Sequence, residues 1–206
     1  MNVETLIFAY LAICVSMILF NIACIFIFEA KDRQLQKRSR KMEHAVEEQF
    51  YQVEKGEPVS NSHTDYLSWK LRKISHLMAF DETMERLRQV NPDVTDTYLK
   101  EVCSVFIYLM ESYSKKSELK AAYFPYIIYK YGIMRNNSET SMNRQLLDMV
   151  RSQNLYCREN ALKALYSIGD VDAVMEALHI LDREEVYHNP KLLSDGLLLF
   201  AGSHSR

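Results

Sequence analysis

The chain has 206 residues, and its 25 Lys or Arg residues nearly balance its 27 Asp or Glu residues, giving a formal net charge of −2 at pH 7. This balance excludes the strong positive field that attracts nucleic acid, so we expect no nucleic-acid partner. The four cysteines, Cys14, Cys24, Cys103 and Cys157, form no C-x-x-C pair. We therefore expect free thiols rather than a zinc site or a disulfide framework.

The first predicted element is a membrane-spanning helix within residues 1–30. Residues 5–28 carry no charged side chain, and at ~1.5 Å of rise per residue they extend ~36 Å, against a hydrocarbon thickness of ~30 Å. A cleaved signal peptide is the alternative, but it requires a basic start and a shorter apolar core, whereas Glu4 precedes this longer segment. Ala23 and Cys24 offer a weak lipoprotein-like cleavage site, although apolar residues continue beyond them.

A basic segment follows the predicted span. Its cations are Lys31, Arg33, Lys37, Arg38, Arg40 and Lys41, against the single carboxylate of Asp32. Because Lys and Arg collect on the cytoplasmic side of membrane spans, we predict a single-pass protein of the cell membrane, with its N-terminus outside and its C-terminal domain in the cytoplasm. The same cations can attract anionic lipid head groups, and the sequence does not separate this role from topology.

Residues 31–63 are predicted to form a basic juxtamembrane helix and a linker. The linker is the sequence GEPVSNSH at residues 56–63, because Gly, Pro, Asn and Ser at this density are typical of a turn or loop. We place a domain boundary there, which leaves residues 64–206 as a separate domain of ordinary size.

Residues 64–206 are predicted to be a succession of short helices without a sheet, so the expected fold class is all-α. Apolar residues recur there at intervals of three and four, the spacing of an amphipathic helix. The predicted helices cover approximately residues 64–77, 81–90, 96–114, 117–131, 139–152, 154–168, 170–183 and 190–201. Pro125 lies inside one of them and is expected to bend or break it.

Three of the five glycines occupy equivalent places. Gly132, Gly169 and Gly202 each follow an apolar helix end, where a left-handed residue lets the chain leave the helix and glycine adopts that conformation without steric cost. Their spacing of 37 and 33 residues is typical of stacked helix pairs.

The clearest repeat unit is residues 158–181. It combines a first helix rich in Ala and Leu, a turn at Gly169 and Asp170, and a second helix carrying Val174, Leu178 and Leu181. This unit resembles a HEAT repeat of the short bacterial type, and the resemblance extends to the start of a further unit at residues 189–202. It implies a small HEAT-like right-handed helical-repeat domain, an α-solenoid, used mainly to bind other proteins.

Two groups of residues are candidates for partner binding. Asp172, Glu176, His179 and Arg183 recur on one face of the second helix of the repeat, where they form either a contact row or a solvated face with internal charge pairs. Tyr123, Tyr126 and Tyr129 crowd into one helix together with Tyr131, and such rings serve either as surface contact anchors or as core filling.

Local motifs for catalysis, cofactor binding or metal binding are absent from the sequence. We expect no enzyme and no cofactor, and the leading hypothesis is a membrane-tethered interaction module, an accessory subunit or scaffold for an integral membrane enzyme or transporter. A subunit of an envelope or polysaccharide assembly complex would suit this design, although no residue specifies it. An enzyme built on a helical-repeat scaffold is the alternative. A third hypothesis has the span itself pack against partner helices, through Ala9, Ala12, Ser16, Asn21 and Ala23.

Overall fold

The computed structural model describes residues 3–135, 139–183, 194–196, 198 and 200. These residues are helical or lie in turns, with no strand among them, so the all-α prediction is confirmed. The helices are α1 (Val3–Glu54), α2 (Asn61–Lys70), α3 (Ile74–Val90), α4 (Pro92–Glu101), α5 (Cys103–Ser114), α6 (Glu118–Tyr131), α7 (Thr140–Val150), α8 (Leu155–Ile168) and α9 (Val171–Arg183). Helical residues are also described at 194–196, 198 and 200.

Helix α1 is continuous from the predicted span into the folded domain. Its N-terminal part is long and apolar enough to cross a membrane, and none of its most apolar stretch is buried inside the chain. Phe8, Phe20 and Phe28, for example, each expose about two thirds or more of their surface. A core helix of a soluble protein would bury such side chains, because each would otherwise expose a large apolar area to water.

The C-terminal half of α1 belongs to the core of the helical domain. Ser39, Met42, Val46, Gln49 and Val53 are buried at intervals of three and four, and Met42, Val46 and Val53 are part of the main hydrophobic cluster. Residues 31–54 were expected to be a polar helix leading into a linker. In the structure, α1 extends to Glu54, a short non-helical segment follows at residues 55–60, and α2 begins at Asn61, inside the predicted linker.

An aromatic stack joins three helices in the core. The ring centroids of Phe80 on α3 and Phe106 on α5 are 5.9 Å apart, and those of Phe106 and Phe124 on α6 are 6.0 Å apart. Tyr113 lies nearly parallel to Phe124, with centroids 4.6 Å apart, and its hydroxyl donates to the carbonyl of Leu71 at 2.6 Å. Burial of these rings stabilises the domain, because each removes a large apolar area from water.

The predicted helix at 96–114 is wrong in one respect, because the structure divides it at Val102 into α4 and α5. The break lets the two halves pack in different directions. Tyr98 on α4 packs against Phe50 of α1, with ring centroids 5.1 Å apart, whereas Phe106 on α5 packs in the aromatic stack. The spacing of apolar residues predicted the buried faces of both helices, but it could not locate a break that involves a single residue.

Pro125 does not end its helix, since α6 runs from Glu118 to Tyr131 with Pro125 inside it. Proline removes one hydrogen bond and crowds the carbonyls of the preceding turn. The carbonyl that loses its hydrogen bond is that of Ala121. The next carbonyl, that of Ala122, accepts a hydrogen bond from Nδ2 of Asn160 on α8 at 3.0 Å. Helix α8 therefore packs against the turn of α6 that precedes Pro125.

Two of the predicted glycine turns are confirmed. Gly132 ends α6 with φ +60°, and Gly169 ends α8 with φ +83°, both in the left-handed region. Asp170 then begins α9, because its Oδ1 accepts the backbone N–H of Ala173 at 3.1 Å. Gly202 lies outside the described residues. The helix pair α8–α9 is present, but a HEAT-like stack is not established by this arrangement.

Candidate functional site

A cavity of about 240 Å³ lies among α3, α4 and the C-terminal end of α6, and it is partly open to solvent. Four basic residues line it, namely Arg88, Lys100, Lys130 and Arg135. The turn after Gly132 forms part of its wall. Met134 in that turn has a backbone φ of +72°, which residues other than glycine rarely adopt. The guanidinium of Arg135 lies directly over Gly132, where a Cβ would be 3.4 Å from its Nε atom.

Two of these cations already have anionic partners. Arg88 Nη2 lies 3.2 Å from Asp96 Oδ1, and Lys130 Nζ lies 2.8 Å from Asp81 Oδ1 and 2.9 Å from Glu85 Oε2. Lys100 and Arg135 have no ion pair within the described ranges 3–135 and 139–183. The cavity therefore has a positive bias, which suits contact with a small anion better than acid–base chemistry.

Asp81 is the most heavily bonded carboxylate in this region. It is buried, and its oxygens accept the hydroxyl of Tyr123 at 2.5 Å, the hydroxyl of Tyr131 at 2.6 Å and the ammonium of Lys130 at 2.8 Å. These contacts connect α3 to α6. They give a buried charge both an opposite charge and hydrogen-bond donors, which is the condition for burying it without a large penalty.

This network changes the pKa values of its members. Burial of Tyr123 and Tyr131 raises the pKa of each phenol well above its usual value, and the nearby negative charge of Asp81 adds to the effect. Burial acts to lower the pKa of Lys130, but its hydrogen bonds to Asp81 and Glu85 outweigh that effect and raise it. All three groups therefore stay protonated near neutral pH, which suits a structural link between α3 and α6.

Cys103 also lines the cavity. Burial raises the pKa of its thiol, and the negative charge of Glu101 adds to this, while the backbone N–H of Ser104 acts in the opposite direction. The thiol form is favoured at neutral pH, so Cys103 lacks the thiolate character of a reactive cysteine. None of the four cysteines forms a disulfide.

A second buried polar contact joins α2 to α4. His63 Nε2 lies 2.7 Å from the hydroxyl of Tyr98, and both side chains are buried. Burial lowers the pKa of His63 from 6.5 to about 4. The imidazole is therefore neutral under ordinary conditions, and His63 is a packing residue rather than a proton carrier at neutral pH.

The predicted row on α9 is exposed to solvent along its length. Asp172, Glu176, His179 and Arg183 are all exposed, and no ion pair joins them to other residues within the described part of the chain. Two apolar side chains accompany them on the surface, since Val171 and Met175 expose about half of their area. The internal charge pairs considered from the sequence are not formed among these four residues.

The candidate tyrosines of α6 are half-buried and pack against the core. Tyr123 is bonded to Asp81, Tyr126 packs against Tyr123 with ring centroids 5.6 Å apart, and Lys163 Nζ lies 6.0 Å from the ring centroid of Tyr129. Their rings therefore make most of their contacts within the domain. The row on α9 is the more accessible of the two candidate surfaces.

No local sequence pattern predicted the Asp81 network. Asp81 stands next to Glu82, and adjacent carboxylates point to different sides of a helix, so this pair suggested no shared site. The partners of Asp81 lie 42 to 50 positions away along the chain. Only the clustering of tyrosines around Pro125 indicated that α6 carries an unusual number of hydroxyl donors.

Comparison with known proteins did not identify relatives of this chain. No known protein family, curated protein or solved structure matches it. Its function is therefore inferred from the geometry of the helices and the chemistry of their surfaces.

Proposed function

We propose that this chain is a membrane-anchored, cytoplasm-facing protein–protein interaction module, an accessory subunit or scaffold for an integral membrane enzyme or transporter. The observation that supports this most is the continuity of α1, which carries an exposed apolar segment at one end and part of the domain core at the other. A domain held in this way stays at the membrane surface. Confinement raises its effective concentration toward other membrane proteins.

The contact surface that we propose is the exposed face of α9. Val171 and Met175 give it two apolar contacts, and Asp172, Glu176 and His179 surround them with polar groups. A small apolar centre within a polar rim is the usual composition of a protein interface. Methionine at the centre adapts readily to the shape of a partner.

The orientation is proposed from the cations of residues 31–41, all of which follow the apolar segment. Lys31, Lys37 and Lys41 are exposed on α1, so their charged groups are in contact with solvent and not buried in the domain. Positive charge at this end of a span favours its retention in the cytoplasm. Protease added outside intact cells should leave the C-terminal domain intact, and digestion of that domain would contradict the orientation.

Photo-crosslinking of the full chain in its native membranes tests the contact surface. A photoreactive residue at Met175 or His179 should give the same discrete adduct with a membrane protein. The matched control is Glu101, which is exposed at the end of α4 and should give none. Asp172→Lys together with Glu176→Lys should reduce the adduct at Met175. An absence of adduct at both α9 positions, or equal adduct at Glu101, would refute the α9 surface.

A further inference from the structure

The chain returns toward the predicted span after α1. Gln49 of α1 accepts the backbone N–H of Ser60 through its Oε1 at 2.8 Å, so α2 starts beside that level of α1. Helix α2 has ten residues and therefore extends ~15 Å, and the α1 segment from Gln49 back to Arg38 has a similar length of ~16 Å. The end of α2 can thus lie level with Arg38.

The direction of α3 agrees with this placement. Thr83 Oγ1 lies 3.3 Å from Ser39 Oγ, and Arg86 pairs with Glu43 at 3.1 Å, so α3 advances as α1 advances. The N-terminal end of α3 therefore points toward the predicted span. His76 at that end is close enough to Lys70, Arg38 and Lys73 for their charges to lower its pKa, after the larger effect of its burial.

The turns at this end of the domain carry a concentration of basic residues. Lys70, Arg72 and Lys73 lie at the α2–α3 turn, where Arg72 and Lys73 are exposed. Lys116 at the α5–α6 turn donates from Nζ to the carbonyl of Arg72 at 2.8 Å, which places that turn beside the first one. Lys115 precedes it and pairs with Glu111 at 2.6 Å.

Exposed aromatic residues lie among these cations. Trp69 is 63% exposed, and Lys70 Nζ lies 4.4 Å from its ring centroid. Tyr108 is 54% exposed and is in contact with the guanidinium of Arg72. Trp and Tyr are enriched at membrane–water interfaces, because their rings are apolar while their N–H or O–H groups stay in contact with water.

We propose that the α2–α3 and α5–α6 turns form a docking surface for an anionic lipid bilayer, through Lys70, Arg72, Lys73, Lys116 and Trp69. The bilayer is the chosen occupant because the surface faces the same end of α1 as the apolar segment and has the complementary charge. This proposal depends on the insertion of the span and not on the partner surface of α9.

The distances permit this docking. From Phe28 to Arg38 along α1 is ~15 Å, and the head-group layer covers ~5–7 Å of that length. The remaining gap is about one Debye length at physiological ionic strength, so the cations still respond to surface charge. A tilt of ~20°, which is ordinary for a membrane helix, brings one side of the domain closer still.

Trp69 provides the readout, because it is the only tryptophan in the chain. The full chain is inserted into nanodiscs of either zwitterionic phosphatidylcholine or a mixture with anionic phosphatidylglycerol. Trp69 emission should shift to shorter wavelength in the anionic discs, and a quencher attached to the lipid should quench it more strongly there. High salt should reverse both changes, since it screens the cations.

Lys70→Gln with Lys73→Gln should strongly reduce the difference between the two kinds of disc, because it removes two of the four cations of the surface. Two basic residues at the surface account for about a 30-fold change in the ratio of docked to undocked domain. The matched control is Lys55→Gln with Lys100→Gln, which removes the same charge. Lys55 lies at the turn before α2 and Lys100 lies near Tyr98, which contacts Phe50, so both are at the far end of the domain. The control should behave as the wild type.

The proposal is overturned if Trp69 emission and quenching are the same in zwitterionic and anionic discs. It is equally overturned if the Lys70 and Lys73 substitutions leave the wild-type response in place, or if the Lys55 and Lys100 control abolishes it. The substituted residues are on the surface, and the circular dichroism of each variant in the same discs checks that the helices are retained.

Discussion

The two halves of α1 belong to one helix but are suited to different surroundings. Between Ile7 and Phe28 the large apolar side chains are exposed on all sides, whereas between Ser39 and Val53 burial is confined to one stripe. The first half is not buried by any other residue that the structure describes, and its exposed apolar surface suits lipid. The second half packs against α3 and α4.

The continuity of α1 means that the apolar segment and the domain are not joined by a flexible tether. An uninterrupted helix transmits the position of the span directly to the core, because every residue between them is helical. A Gly- or Ser-rich connection would instead let the domain sample a wide volume. In the membrane-anchored arrangement that we propose, the length of α1 between Phe28 and Ser39 therefore sets the distance between the bilayer and the domain.

The largest expected effect follows from removing the second half of α1. A fragment of residues 31–206 should unfold cooperatively, and a fragment of residues 61–206 should not. Burial of a Met or Val side chain is worth about 1.5–3 kcal/mol, so losing Met42, Val46 and Val53 removes an amount comparable with the whole stability of a small domain.

Denaturant unfolding followed by circular dichroism compares the two fragments. Equal transition midpoints would show that α1 contributes little to the core, and would support the domain boundary predicted at residues 56–63. Retained helix content without a cooperative transition in the shorter fragment would agree with our expectation, because local helices can persist without specific packing.

A matched pair of methionines tests the two halves by single substitutions. Met42 is 2% exposed and Met17 is 62% exposed on the same helix. Met42→Ala should lower the free energy of unfolding of the domain by about 2–5 kcal/mol, because it leaves a cavity in the core. Met17→Ala should change it by less than about 0.5 kcal/mol.

Unfolding of the full chain in detergent or nanodiscs measures both variants, with tertiary contacts followed by near-UV circular dichroism. Similar losses for the two variants would contradict the division of α1 into a span and a core segment. If only Met17→Ala lowered the free energy of unfolding, the core contacts of α1 would have to lie in its N-terminal half.

Much of the fold could be predicted from the sequence, since the apolar segment and most of the helices follow from periodicity. The packing of α1 was missed although its signal was present. Ser39, Met42, Val46, Gln49 and Val53 recur at intervals of three and four, which is the spacing of a helix that packs along one stripe. Charged residues dominate the surrounding sequence, and two of the five positions are polar, so the stripe was overlooked.

The candidate site was less predictable. The exposed row on α9 follows from helical periodicity within one segment, because Asp172 and Glu176 lie away from its apolar positions. The Asp81 network and the basic surface around Lys70 depend on contacts between residues more than 40 positions apart. Such contacts depend on how the helices pack, and no local pattern encodes them.

Acid should weaken the contact between the second half of α1 and the rest of the domain. Tyr98 packs against Phe50 of α1 and also contacts His63, whose pKa burial lowers from 6.5 to about 4. Between these values the unfolded chain binds a proton that the folded chain does not. The free energy of unfolding is therefore highest above pH 6.5. It falls by up to about 3 kcal/mol as the pH drops toward 4, because protonation of His63 then favours the unfolded chain.

The free energy of unfolding at several pH values between 7 and 4 measures this loss. His63→Gln should flatten the dependence, because it removes the titrating group. His44→Gln, at an exposed position of α1, should keep the wild-type slope. A slope that persists in His63→Gln would assign the acid sensitivity to other groups.

The smallest expected effect concerns the ion pairs along α1. Arg86 pairs with Glu43 at 3.1 Å and also donates to Ser39, with about 40% of each charged side chain exposed. Glu29 and Arg33 form a pair of the same length near the span, but 56% and 76% of their side chains are exposed. Glu43→Gln should lower the free energy of unfolding by about 0.5–1 kcal/mol, and Glu29→Gln by an amount near zero.

At ~1 M salt the Debye length falls to ~3 Å, so the loss of stability in Glu43→Gln should become smaller. A larger loss in Glu29→Gln would show that the exposed half of α1 makes protein contacts after all.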